Sequence, residues 1–185
     1  MLLVAAAREE LGDLDGEVVG VGPLVAAASA AALIERLQPQ SVVLLGTGGA
    51  YAAGPAVGTA VVSARLGLSS GVAALGLGYV PRPPGPIDGD PALLAALPHV
   101  PRAHVRTVAA VTTDLALAER LSDGWSVEHL EAYAVAWACR CARVPFLAVL
   151  GIANDVGPEA HVQWLTHRDA ARQAARDAIV PLLEG

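Results

Sequence analysis

Residues 127–157 read Val-Glu-His-Leu-Glu-Ala-Tyr-Ala-Val-Ala-Trp-Ala-Cys-Arg-Cys-Ala-Arg, then Val-Pro-Phe-Leu-Ala-Val-Leu-Gly-Ile-Ala-Asn-Asp-Val-Gly. In the first half, Leu130, Ala134, Trp137, Ala138 and Cys141 recur at helical spacing, which predicts a buried helix. In the second half, the apolar run Phe146 to Ile152, preceded by Pro145 and with Gly151 near its end, predicts a strand covered on both faces. Two polar residues interrupt this greasy pattern. Glu131 sits at the mouth of the helix, and Asn154 sits just past the expected carboxyl end of the strand. A buried carboxylate is costly unless something holds it, and the carboxyl ends of strands in an α/β sheet are where ligands bind. Both residues are therefore candidates for chemistry.

Working outward, the chain alternates strands and helices. Strands are expected at Leu2 to Ala6, Glu17 to Gly22, Ser41 to Leu45, Val57 to Arg65 and Val105 to Val111. An acidic helix start follows the first, at Ala7-Arg8-Glu9-Glu10-Leu11, where Glu9 and Glu10 suit the helix dipole. Pro23 opens an Ala-rich helix, Leu24 to Leu37, which closes before Pro39. Gly46-Thr47-Gly48-Gly49-Ala50-Tyr51 reads as a Gly-rich loop that lets backbone approach an anion or a sugar, or as a plain tight turn. It lacks the acidic partner of a dinucleotide fingerprint and the Lys of a P-loop. Residues 81–86 read as a surface loop, Asp90 to Leu97 as one short helix, and Tyr79 as packing or a lid. Thr112-Thr113-Asp114 is a plausible cap for a helix from Leu115 to Leu121. Pro158 to Trp164 reads as loop or short helix, and 166 to about 183 as a final amphipathic helix.

Continuous apolar strands alternating with helices predict a three-layer α/β fold with a mostly parallel, mixed central sheet, in one domain over 1–185. The chain is 54% hydrophobic, carries a net charge of -6 and has no basic cluster, which argues against nucleic acid or an anionic membrane as partner. The run Leu2 to Ala7 is too short for a signal peptide, so the expected compartment is the cytoplasm. Cys139 and Cys141, two apart on a helix, face different ways and are expected to stay reduced. The five histidines show no metal-ligand spacing, so no metal or cofactor is expected.

The pattern of 127–134, the fixed gap to Val144-Pro145-Phe146, and Gly151-Ile152-Ala153-Asn154-Asp155 resemble the nucleoside phosphorylase and nucleosidase superfamily. Within it they are most similar to the futalosine hydrolases, with the methylthioadenosine/S-adenosylhomocysteine nucleosidases next. The resemblance implies roles residue by residue. Glu10, four residues after Ala6, stands where the family's Glu activates water. Thr47, Gly48 and Gly49 lie beside the ribose, with Thr112 also on the substrate, and Tyr51 is typical of futalosine hydrolases. Glu131 grips the ribose hydroxyls and Leu130 packs on the sugar face. Asn154 reads the base, and Trp164 closes over the site. Leu150, Ala153 and Tyr133 depart from the family's usual Arg, Ser and small residue. The implied partner is a small purine nucleoside, in a homodimer or higher homo-oligomer, with Trp137 as core or subunit contact.

The chemistry is consistent with these roles. N-glycosidic cleavage passes through an oxocarbenium-like sugar, which a carboxylate such as Glu131 stabilises. A second carboxylate, Glu10, can take a proton from water. Asn154 offers a donor and an acceptor without titrating, which suits a 6-oxopurine better than adenine. The expected reaction is hydrolysis of futalosine to hypoxanthine in a menaquinone route. The alternatives are an adenine-type nucleosidase, a phosphorylase, for which Arg65 is the one placed cation, and an inactive nucleoside-binding relative.

Overall fold

A computed structural model describes residues 1–184, so the last residue of the 1–185 span, Gly185, lies outside it. Leu2–Ala5 forms β1, and Arg8–Leu11 forms the single-turn α1. Next come β2 (Glu17–Val18), α2 (Pro23–Leu37), β3 (Val42–Ala50) and β4 (Ala60–Leu68). The middle of the chain holds α3 (Gly71–Ala74), β5 (Ile87–Asp88), α4 (Pro91–Ala96) and β6 (Arg102–Thr107). It closes with α5 (Leu115–Ser122), β7 (Val127–His129), α6 (Ala132–Ala142), β8 (Phe146–Asp155), α7 (Ala160–Ala178) and α8 (Val180–Leu183).

The strands form one mixed sheet. β1 pairs in parallel with β2 and β3, β3 with β8, and β6 with β4 and β7. Antiparallel pairings join β3 to β7, β4 to β5 and β4 to β8. The pairs β3–β8, β8–β4, β4–β6, β6–β7 and β7–β3 close a five-strand ring, with β1 and β2 extending from β3. Side chains alternate faces along each strand. Val42, Leu44, Phe146 and Ala148 pack with α2 and α6 on one face. Val43, Leu45, Leu147 and Val149 pack with Ala175 and Ile179 of the C-terminal helices on the other. This is the covered, continuously apolar pattern the three-layer expectation rests on.

Several element readings are corrected. Gly46–Ala50 is strand, not loop: β3 runs on because β8 pairs one edge and β7 the other. Val127–His129 is a strand rather than the start of the helix, held between β3 and β6, and α6 begins only at Ala132. Asn154 lies inside β8, paired opposite Gly49, rather than past it. The second strand keeps only Glu17–Val18, and the strand expected at 105–111 ends at Thr107, leaving 108–113 to turn away from the sheet. The final helix starts at Ala160, so Trp164 sits on it. Asp90 and Asp114 cap α4 and α5 through their side chains, and Tyr79 is 84% exposed. Cys139 is buried and Cys141 exposed, both as free thiols. Among the described residues, no helix is long and apolar enough to cross a membrane.

Candidate active site

The carboxyl ends of β1, β3 and β8, the start of α6 and one side of α7 surround a cavity of about 690 Å³. That volume suits a nucleoside with room for a further substituent. Glu10, Thr47, Gly48, Gly49, Leu130, Glu131, Asn154 and Trp164 all line it. Residues separated by up to 154 positions thus meet in one space.

Glu10 hangs from α1 into this space and is 8% exposed. Its Oε2 accepts from the Ala6 and Ala7 amides at 3.1 and 3.3 Å, and its Oε1 accepts from the Thr47 amide at 3.2 Å. Burial raises its pKa to about 7, against the pull of the amides and with a push from Glu131. A carboxyl poised there exchanges a proton readily near neutral pH, as a general base must.

Glu131 is the N-cap residue of α6, but its side chain does not cap the helix. Its Oε1 instead accepts from the Gly22 amide at 2.7 Å. Capping falls to others. His129 Nδ1 accepts from the Glu131 and Ala132 amides, both at 3.1 Å, and Thr107 Oγ1 accepts from the Tyr133 amide at 2.9 Å. The Glu131, Ala132 and Tyr133 amides are thereby met without the Glu131 carboxylate, which lines the cavity. Two amides aimed at Nδ1 assign the His129 proton to Nε2. Burial lowers the pKa of His129, although the nearby Glu131 carboxylate pulls the other way, so the ring is neutral.

Asn154 Nδ2 donates to the Asp155 carbonyl at 2.9 Å, which orients the amide. The β3 glycines make room for these polar groups. A Cβ on Gly49 would stand 2.8 Å from Asn154 Nδ2, and one on Gly46 would stand 2.9 Å from His129 Nε2. Trp164 Nε1 donates to Thr47 Oγ1 at 3.0 Å, pinning α7 to β3, and His161 stacks beside the indole at 6.2 Å between ring centroids.

Thr112 is the one candidate that does not line the cavity. Its amide and hydroxyl donate to Glu128 at 2.9 and 2.6 Å, so both are already committed; its neighbours Val111 and Thr113 form the wall instead. Arg65 is also elsewhere, half-exposed and 3.9 Å from Asp88. Sequence reasoning missed Glu128, His129, Arg168 and Arg172, all of which line the cavity. Glu128 is 6% exposed and also accepts from the Tyr51 hydroxyl at 3.0 Å. For Glu128 and His129 the available signal was their place beside Glu131 in an otherwise apolar stretch.

The site offers a carboxyl group of raised pKa, a second buried carboxyl group anchored by an amide, a side-chain amide and an indole, all on one cavity. Such a set of groups can assist the breaking of a bond between a sugar and a base.

The comparisons agree. The phosphorylase superfamily matches residues 16–184. The futalosine hydrolase of Thermus thermophilus is 33% identical over 173 residues, covering 85% of this chain and 76% of its own. The 5'-methylthioadenosine/S-adenosylhomocysteine nucleosidase of Anoxybacillus flavithermus is 29% identical over 175 residues, covering 83% and 75%. Among solved structures, the futalosine hydrolase of Helicobacter pylori superposes with a TM-score of 0.86 at 14% identity, covering 98% of this chain and 97% of that one. The methylthioadenosine/S-adenosylhomocysteine nucleosidase of Neisseria meningitidis, in complex with methylthio-immucillin-A, gives 0.85 at 16%, covering 99% and 97%. The chain belongs to the phosphorylase superfamily and is an enzyme of its nucleosidase branch, a hydrolase of N-glycosidic bonds.

Proposed function

We propose that the enzyme hydrolyses the N-glycosidic bond of a 6-oxopurine nucleoside, with futalosine the first choice, releasing hypoxanthine in a menaquinone route. The observation that carries this reading is the convergence of Glu10, Glu131 and Asn154 on one cavity. Glu10 takes a proton from water as it attacks the anomeric carbon. Glu131 anchors the sugar and offsets its developing positive charge. Asn154 donates through Nδ2 to the N7 and O6 acceptors of the departing base, which leaves as its anion and takes up the equivalent of the proton that Glu10 removes from water. Trp164 covers the sugar and base from α7, with Leu130 across from it and Thr47, Gly48 and Gly49 forming the strand wall.

The Thermus relative's name supports futalosine. The adenine-cleaving alternative, supported by the Anoxybacillus relative, is opposed by the side chain at 154. We also read the protein as a cytoplasmic homodimer or higher homo-oligomer. Leu24 on α2 and Leu77 and Tyr79 beyond α3 expose apolar surface for such a contact. The deciding experiment is incubation of the purified protein with futalosine and chromatography for free hypoxanthine. Silence toward futalosine, with release of a base from another nucleoside, would discard the substrate.

A further inference from the structure

The imidazole of His129 stands between the two carboxyl groups of the site. Its Nδ1 lies 3.3 Å from Glu131 Oε2 and accepts from the Glu131 and Ala132 amides, so the ring proton sits on Nε2. His129 is 5% exposed, and no acceptor among the described residues meets that N–H. The atom is not sealed in, unlike the unpartnered ring or guanidinium nitrogens of Arg106, His167, Arg168 and Arg172. His129 lines the cavity, so its free N–H opens to it. A donor in so dry a place calls for an acceptor from the contents of the cavity.

Gly46 marks where that acceptor stands. A Cβ there would lie 2.9 Å from His129 Nε2, 3.4 Å from Glu10 Oε1 and 3.4 Å from Leu150 Cδ2. Nε2 and Oε1 therefore flank one spot over the glycine, no more than about 6 Å apart, the span of one bridging water. Leu150 closes a third side with a methyl, so the protein offers a water there one donor and one acceptor. Asn154 pairs opposite Gly49, three residues along β3 and about 10 Å away, which leaves room between for a purine and its anomeric carbon. We propose that His129 is a further catalytic residue of the hydrolysis, its Nε2–H donating to the water that Glu10 deprotonates. This rests on the reading of Glu10 as the base and not on which purine leaves. In the step, the water gives one proton to the Glu10 carboxylate and one lone pair to the anomeric carbon. The bond from that carbon to the base breaks, and its electron pair goes to the base. His129 keeps its proton throughout and donates to the second lone pair of the water. It holds the oxygen in line and stabilises the hydroxide-like charge that grows as the proton leaves. Burial keeps the ring neutral, so it orients the water without setting a cation beside Glu10.

Two substitutions separate the halves of the ring. In His129→Asn, Oδ1 takes the place of Nδ1 and can still accept from the α6 amides, but no donor remains where Nε2 was. In His129→Gln, the side-chain NH₂ reaches the Nε2 position and the acceptor for those amides is gone. On the nucleoside the wild type cleaves fastest, His129→Asn should lose about 10²-fold in kcat, the scale of one preorganised donor. Its KM and denaturant midpoint should stay near the wild type's. His129→Gln should keep kcat within about tenfold of the wild type although its midpoint falls. A histidine that only caps α6 gives the reverse, an active asparagine variant and an impaired glutamine one, and that result overturns the proposal. So does a loss confined to KM, which would give the N–H to the sugar. Should the glutamine variant not fold, the asparagine variant and a measurement on the wild type decide. Nitrogen-15 spectra of the histidine-labelled protein, assigned with His129→Asn, should show a neutral ring protonated at Nε2 at neutral pH. A charged ring, or a proton on Nδ1, overturns the role. Glu10→Gln measured alongside tells the two readings apart. Turnover kept in that variant removes Glu10 as the base and the shared water with it. Turnover lost there but kept in His129→Asn removes only the role of His129.

Discussion

The Gly22 amide donates to Glu131 Oε1 at 2.7 Å, across 109 residues of chain. This contact aims the carboxylate into the cavity, and it is possible because His129 and Thr107 do the capping that Glu131 would otherwise do for α6. Glu131→Gln keeps the shape but removes the charge opposite an oxocarbenium-like sugar. We expect kcat/KM to fall by about 10²–10³, the scale of losing one preorganised electrostatic group. Steady-state kinetics on the best substrate checks this, and a loss confined to KM would limit Glu131 to binding.

Glu10→Gln should lower kcat by about 10²–10⁴ and leave hypoxanthine binding intact. In the wild type, activity should rise with pH through an acid limb near 7, since the active form of Glu10 is the carboxylate. A kcat/KM profile measures the limb, and retained activity in the variant removes Glu10 from the mechanism.

The same group has a consequence for stability. Folded Glu10 holds its proton to about 7 while the unfolded chain releases it near the ordinary 4.5. Between those values the native state binds more protons, so this residue's contribution to unfolding free energy falls as pH rises through the window. Urea titrations at the two ends should show that slope, and Glu10→Gln should flatten it.

Asn154→Asp should shift preference toward adenine nucleosides. A carboxyl at this position can carry a proton for an adenine N7, and its oxygens accept from the exocyclic amine, whereas an amide is suited to a carbonyl edge. The ratio of kcat/KM for inosine and adenosine, or for their 5′ derivatives, reads the shift; an unchanged ratio would take the base-reading role from residue 154.

Glu128→Ala should destabilise the fold by about 3–5 kcal/mol, because the Tyr51 hydroxyl and both donors of Thr112 lose their buried acceptor. The Val111 and Thr113 wall should loosen with it, raising KM. Glu128→Gln, which keeps one acceptor oxygen, should recover part of both. Denaturant midpoints and KM on the same samples test the pair together.

Much of the architecture was legible locally. The apolar run 146–152 reads as a doubly covered strand because both faces of β8 are buried, and Pro23, Asp90 and Asp114 each mark a helix start through local chemistry. Glu131 and Asn154 stood out because polar residues are costly in such surroundings. The glycines of 46–49 misled for a physical reason. They are small because Asn154 and His129 press against the strand from outside, and that pressure comes from residues about a hundred positions away.

The amino-acid sequence by itself determined the alternation of strands and helices and the covered sheet, because these follow from periodicity, while its resemblance to the nucleosidases pointed to the residue types able to cut a sugar–base bond. Only the tertiary structure decided that β7 closes a ring, that His129 caps α6 in place of Glu131, that Thr112 serves Glu128, and that Arg168 and Arg172 face the cavity. On an amphipathic helix an arginine beside the solvent and an arginine beside a ligand have the same spacing. What separates them is the packing of α7 against β3, held by Trp164 and Thr47 across 117 residues of chain.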